Sequence, residues 1–339
     1  MKNANIPPAK KCIVIGSNCF SGSHLVDALL SDGNYQVVGL SRSMEKKGYY
    51  LPYKSNANTD RLFRFQQLDL NKNAGDLISF LEKEQPQIVV NFAALSEVDL
   101  SNREPVEYFD TNCRAVVQLC NHLKTAKYLE RYIHISSAEI YGPCDRYIIE
   151  SAPLRPSTPY AVSKAAADLY LLTLQKNFNF PVTLIRSTNV YGKHQQLYKI
   201  IPRTIIYLKK GKKIELHGGG NAIKSFIHIR DVARGILKIL QRDKPKPIYH
   251  FSTDNDLTIR QIVKMVCEKM GHSFESAVIV AEERLGQDPR YLLDSSLARK
   301  ELDWRPVEDF EKGIEETIDW IESLWQEIFA EPLTYQHKT

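Results

Sequence analysis

Residues Cys12-Ile13-Val14-Ile15 form an unbroken apolar run that feeds directly into Gly16-Ser17-Asn18-Cys19-Phe20-Ser21-Gly22, where a helical pattern begins. An apolar run without alternation predicts a strand covered on both faces, as in a parallel sheet. Glycine at positions 16 and 22 lets the chain turn sharply and brings its backbone close to a ligand. The free N–H groups and the dipole at the start of the next helix favour negative charge there. Strand, glycine turn and helix in this order predict a dinucleotide-binding unit, with an ordinary βα turn as the alternative.

The rest of the pattern repeats that unit. Further strands are predicted at Gln36–Leu40, Leu62–Leu68, Ile88–Ala94, Tyr132–Ser136, Val182–Ser187 and Ile248–Phe251, with helical segments at 22–32, 75–84, 105–127 and 158–177. Right-handed crossovers stack such units into an α/β fold, a Rossmann-type doubly wound parallel sheet. Past residue 190 the alternation loosens. Ile201–Lys210, Ile229–Leu240 and Ile259–Met270 read as helices, Val278–Val280 as a short strand, and 309–329 as a long amphipathic helix. At about 150 residues per domain, 339 residues make roughly two. The expected division is a dinucleotide-binding domain over 1–190 and a smaller α/β substrate lobe over 191–339, with 225–252 returning to the first domain.

Composition narrows the classes. No apolar stretch approaches the ~18–20 residues of a membrane span. Met1 to Lys11 is polar and lacks a signal-peptide core, so a cytoplasmic location is expected. Six scattered cysteines without a CxxC pair read as buried small hydrophobes, with no metal site expected. A net charge of +5 is too mild and dispersed for nucleic acid, but it suits an anionic small molecule.

At the end of the second strand a carboxylate would hold the ribose hydroxyls of NAD. Leu40-Ser41-Arg42-Ser43 stands there instead. Serine with a guanidinium suits a 2′-phosphate, which favours NADP over NAD, although a solvated surface arginine is the plainer reading. Asp69-Leu70, after the third strand, is expected to border the adenine.

Tyr160 and Lys164 are four residues apart, hence on one face of a predicted helix. An ammonium near a phenol favours the phenolate, which can then take a proton from a sugar hydroxyl. Such pairs are common by chance. What raises this one is the segment His134-Ile135-Ser136-Ser137-Ala138-Glu139-Ile140-Tyr141-Gly142 at the end of a predicted strand, where such sheets carry their chemistry.

With the glycine turn, SSAEIYG, TPYAVSK and RSTNVYG, the chain resembles the extended short-chain dehydrogenase/reductase family of nucleotide-sugar enzymes, and within it the dTDP-glucose 4,6-dehydratase type. The stretches Asn189 to Pro202, Leu216 to Gly220, Ser225 to Val232 and Gly286 to Asp294 are similar to the dehydratases too, so the resemblance spans about residues 10–325. It implies an NAD(P)-dependent lyase acting on a nucleotide-diphosphate hexose. Ser137 would orient the sugar O4, Tyr160 would be the base with Lys164 its partner, and Glu139 would remove the C5 proton. Gly16, Cys19, Phe20, Ser21, Gly22, Ser41, Arg42, Asp69, Leu70 and Ala93 would hold the cofactor, along with Tyr160 and Lys164. Ser96, Glu97, Asn189, Lys199, Lys224 and Arg290 would surround the substrate, the last four near its diphosphate.

The chain departs from the family in several places. Cys19 replaces the middle glycine of GxxGxxG. Ala138 stands where the dTDP-glucose enzymes keep an acidic Asp, Glu97 where a His is usual, and Lys224 where an Arg is usual. Ala138 cannot donate a proton, which gives weight to an epimerase, a 5,6-dehydratase or a decarboxylase of the same family. Two glutamates in one pocket would raise one pKa. A non-catalytic dinucleotide sensor is the reading from another class, opposed by intact Tyr160 and Lys164. Relatives pair two helices across a two-fold axis into a four-helix bundle. Val116, Val117, Leu119, Val162, Ala166, Leu169 and Leu172 permit such a homodimer, or else serve the monomer core.

Overall fold

Burying the first apolar run on both faces takes a layer of helices on each side of it, and that is the arrangement observed. The structure, a computed structural model, describes residues 9–335 other than Asn73, Arg284, Leu285 and Gln287. Residues 1–8 of the polar N-terminus, and Gln287 within the 286–294 motif, lie outside the described residues.

In chain order the strands are β1 (Lys10–Ile15), β2 (Tyr35–Ser41), β3 (Phe63–Gln67), β4 (Ile88–Asn91), β5 (Arg131–Ile135) and β6 (Val182–Ser187). There follow β7 (Asn189–Tyr191), β8 (Ile214–His217), β9 (Ile223–His228), β10 (Ile248–Phe251), β11 (Asp256–Thr258), β12 (Val278–Ala281) and β13 (Arg290–Tyr291). Seven of them form one sheet in the order β10-β6-β5-β4-β1-β2-β3, with every pair parallel. Ile13 sits opposite both Val38 and Val89 in register. Strand alternation sends Cys12 and Val14 into one apolar layer with Leu25, Val37 and Val90. Ile13 and Ile15 enter the opposite layer with Val38, Leu40 and Val89. This is the expected Rossmann-type sheet. Its order reverses between β1 and β4, opening a crevice at the strands' carboxyl ends.

The second lobe has its own core, including Ile201, Ile205, Ile262, Val266, Ile314 and Ile321. There β9 pairs with β7, β11 and β13, and β8 pairs with β12. The Ile229–Gln241 helix and β10 pack back into the first core, where Ile236, Ile239 and Phe251 join Leu25. Trp304 ties that return together: its indole donates to the Asp231 carbonyl at 2.9 Å and its ring lies 4.7 Å from Phe251.

Two expected helices are interrupted. The segment 105–127 is Pro105–Phe109, a π-helical turn over Asp110–Arg114, and Ala115–Leu123. The tail is Phe310–Ser323 and Trp325–Ile328, broken at Leu324. Val116 and Leu119 are turned into the monomer core beside Leu77 and Leu81, so they serve the monomer and not a partner. All six cysteines are free. Among the described residues no helix is long and apolar enough to cross a membrane.

Candidate active site

The crevice between β1 and β4 widens into a cavity of about 1140 Å³. Every loop leaving the carboxyl ends of β1 to β6 contributes to its wall, and the second lobe closes it with 195–201, Lys224, Asp288 and Tyr291.

At the glycine turn the backbone leaves no room for side chains. Gly16 has φ +87°, and a Cβ there would meet Ala93 N at 2.9 Å; one on Gly22 would lie 2.3 Å from Gly16 O. The middle position needs no glycine. Cys19 has φ −81° and ψ 161°, and its Sγ accepts the Gly22 N–H at 3.2 Å as the cap of the Phe20–Asp32 helix. Burial pushes the Cys19 thiol up, so it stays protonated. Asn18 fastens the turn to the end of β2: its backbone N–H donates to Ser41 Oγ at 3.0 Å, and its side-chain amide to the carbonyls of Ser43 and Met44. Ser17 Oγ and Asn18 Oδ1 are buried there with no partner among the described residues. Close-packed glycines, a helix start at Phe20-Ser21 and two polar atoms left over fit a pyrophosphate and its riboses. Ser41 is buried, Arg42 is exposed at the rim, and both line the cavity, as do Asp69, Leu70 and Ala93. Asp69 accepts the Asn71 N–H at 2.8 Å, which shapes its loop.

At the other end, β5 runs into a 3-10 turn over Ala138–Tyr141, with Ser137 Oγ accepting the Glu139 N–H at 3.2 Å. Tyr160 lies in the first turn of the Pro159–Phe178 helix, whose cap is Thr158. The Ser137 side chain lies near enough to its hydroxyl to favour the phenolate. Lys164, one turn on and 1% exposed, donates to Ile135 O at 2.7 Å and to His134 Nε2 at 3.2 Å. Burial draws its ammonium down to about 8. The expected depression of the phenol is not what the free chain has. Burial and the Glu139 charge push Tyr160 up, while the Lys164 ammonium is engaged by Ile135 and His134.

Glu139 and Glu97 do line one cavity. Burial raises the Glu139 carboxyl to about 7, helped by the charges of Asp288 and Glu97 and opposed by Lys224 and Lys199. The expected diphosphate cations are largely taken. Lys199 Nζ pairs with Glu97 Oε1 at 2.5 Å. Lys224 is buried, donates to Asp288 O at 2.7 Å, and lies 3.8 Å over the Tyr291 ring. Arg290 does not line the cavity. Adjacent strand residues face opposite ways, so Tyr291 enters it while Arg290 turns toward Asp256, 3.9 Å away. Asn189 and Ser96 line it, and Asn189 Oδ1 accepts the Tyr291 hydroxyl at 2.9 Å.

The sequence reading passed over Tyr291, Asp288 and Asn112. The first two stand within the 286–294 motif without an assigned role. Asn112, in the π-helical turn, holds Leu95 from both sides (N–H to Oδ1 at 2.8 Å, Nδ2 to O at 2.9 Å) and donates to Ser163 Oγ at 3.0 Å. It thereby fixes the loop of Ser96 and Glu97 against the Tyr160 helix. Its only sequence signal is a poor helix former inside a helical pattern.

Fold and site define a dinucleotide-binding sugar-nucleotide enzyme class, and the comparisons agree. The chain matches the NAD dependent epimerase/dehydratase family over residues 12–251 and belongs to it. It is 32% identical to the dTDP-D-glucose 4,6-dehydratase of Bos taurus over 321 residues, 92% of this chain and 88% of that one. Among solved structures it is similar to the dTDP-glucose 4,6-dehydratase DesIV from Streptomyces venezuelae with NAD and TYD bound (TM-score 0.86, 30% identity, 96% and 100% of the two chains). A UDP-glucuronic acid 4-epimerase from Bacillus cereus in complex with UDP-glucuronic acid and NAD superposes with a TM-score of 0.84 at 25% identity, covering 93% and 99%.

The electrostatics can be checked without substrate. With glutamate side chains labelled with carbon-13, the Glu139 carboxyl is expected to titrate near pH 7 in the free chain. Glu97→Gln removes a negative charge and releases Lys199, so the midpoint moves to lower pH. A midpoint that stays put contradicts the reading.

Proposed function

We propose that the chain is a nucleotide-sugar 4,6-dehydratase acting on a hexose joined to a nucleoside diphosphate. The observation that carries this is the convergence of Tyr160, Ser137 and Glu139 on the cavity that also holds the glycine turn. Ser137 and Tyr160 grip the sugar O4, and Tyr160 accepts its proton, with the Ser137 side chain beside it favouring the phenolate. A bound nicotinamide dinucleotide supplies the reversible two-electron oxidation at C4. The resulting ketone acidifies the neighbouring C5–H, and a carboxylate raised to about 7 is matched to removing that proton at neutral pH. Loss of the C6 hydroxyl completes the elimination. A 4-epimerase has no use for a C5 base, which is why Glu139 favours dehydration.

Offered dTDP-glucose and UDP-glucose, the purified chain is expected to release a 4-keto product lighter by one water. Glu139→Gln is expected to slow that release by about 10²–10⁴-fold while C4 oxidation persists. An equal-mass product, or a variant that dehydrates at the parental rate, overturns the reading.

We also propose that NADP is the preferred cofactor, since β2 ends on Ser41 and is followed by Arg42 and Ser43, with no carboxylate among them. Arg42→Ala is expected to weaken NADP binding by about tenfold or more, the size of one charge-assisted hydrogen bond, and to leave NAD binding unchanged. Tighter binding of NAD by the parent chain contradicts this.

The assembly we propose is a homodimer through the Pro105–Phe109 and Pro159–Phe178 helices. Val106, Phe109, Val162 and Leu169 are exposed there, Leu169 by 55%, and together make an apolar face that water does not favour. In sedimentation at micromolar concentration the chain is expected to run as a dimer and Leu169→Glu as a monomer; a monomeric parent refutes it.

A further inference from the structure

Elimination of water needs an acid as well as a base, because hydroxide is a poor leaving group. In this cavity several of the donors are already engaged. Ala138, beside Glu139, carries only a methyl group. Tyr160 is committed to O4 in the proposed reaction. Lys164 donates to Ile135 and His134, Lys199 is closed in an ion pair with Glu97, and the Tyr291 hydroxyl donates to Asn189.

We propose that Lys224 is the acid that protonates the departing C6 hydroxyl, a catalytic role in place of the diphosphate contact that its position suggests. Its ammonium is buried in the cavity wall, held by one backbone carbonyl and an aromatic face. Neither partner is a charge, so protons remain free to be given. The groups that face it are Glu139 from the turn after β5, Asp288 and Tyr291 from the segment around β13, and Cys144. Glu139 is the strongest of its charged neighbours. A base at C5 and an acid at C6 must stand one carbon apart on the substrate, and Glu139 and Lys224 line the same cavity with no direct bond between them to close the pair. Burial draws Lys224 down to about 8, which makes it a far better donor than a surface lysine while still protonated at neutral pH.

The step balances. Glu139 takes the C5 proton, the C5–C6 double bond forms as the C6–O bond breaks, and the oxygen leaves with a Lys224 proton as water. The hydrogen taken from C4 is returned at C6, and Glu139, once its carboxyl proton has exchanged with water, delivers a solvent-derived proton to C5. The proton that Tyr160 received from O4 then makes good the one that Lys224 gave, by way of water.

This inference rests on the dehydratase reading, and a substrate with a better leaving group separates the two. Lys224→Met is expected to slow water loss from a nucleoside-diphosphate glucose by about 10²–10⁴-fold. The same variant is expected to eliminate fluoride from the 6-deoxy-6-fluoro analogue within a few-fold of the parent rate, because fluoride leaves without a proton. That second rate also shows that the variant has folded. The parent's rate should fall above pH 8, and this alkaline limb should vanish with the fluoro substrate. Equal slowing on both substrates, with KM raised, makes Lys224 a diphosphate-binding residue and overturns the inference. If the parent chain eliminates neither group, the dehydratase reading itself has failed.

Discussion

A carboxylate held away from water beside a phenol and an amine is the interaction on which this protein's chemistry depends. Desolvation disfavours the ionised forms of Glu139 and of Tyr160, and it disfavours the ammonium of Lys224. Glu139 and Lys224 are thereby drawn toward neutral pH from opposite sides, where small displacements of charge move protons, while the Tyr160 phenol is pushed up and away from it. Such an arrangement costs folding stability. An unfolded glutamate ionises near pH 4.3, so a folded form that keeps its proton to about 7 is penalised above pH 4.3 and relieved as pH falls below it.

The scaffold absorbs that cost through the central sheet. Parallel strands covered on both faces bury β1, β4 and β5 almost completely and fix where their carboxyl ends emerge. Reversal of strand order between β1 and β4 leaves one crevice, so the glycine turn after β1 and the Ser137–Glu139 turn after β5 face a common space. Second-lobe residues complete it from strands that do not belong to that sheet. Lys224 and Tyr291 are register partners on β9 and β13, which carries the amine onto the aromatic face opposite Glu139.

What was legible in the sequence follows that division. Central strands announce themselves as apolar runs because water is excluded from both faces, and β1, β5, β6 and β10 lie within a residue or two of the expected positions. Gly16 and Gly22 were legible for a steric reason, while Cys19 shows that the middle position needs only an extended backbone and a capping atom. The short strands β7, β11 and β13 carry two or three residues each and are defined by distant partners, so no local pattern reveals them. For the same reason motif position alone could not say that Arg290 faces away while Tyr291 faces in. The π-helical turn at Asn112 was hidden by an otherwise helical pattern, and its purpose emerges only from its bonds to Leu95 and Ser163.

The central claim is that Tyr160 and Glu139 act on adjacent carbons of one hexose ring. A substrate carrying deuterium at C4, turned over in ordinary water, tests it most directly, with a parallel run of unlabelled substrate in heavy water. The account predicts that the C4 deuterium reappears in the C6 methyl group of the product, and that C5 acquires deuterium from heavy water. Deuterium retained at C4, or a C5 position that takes up nothing from the solvent, would contradict it.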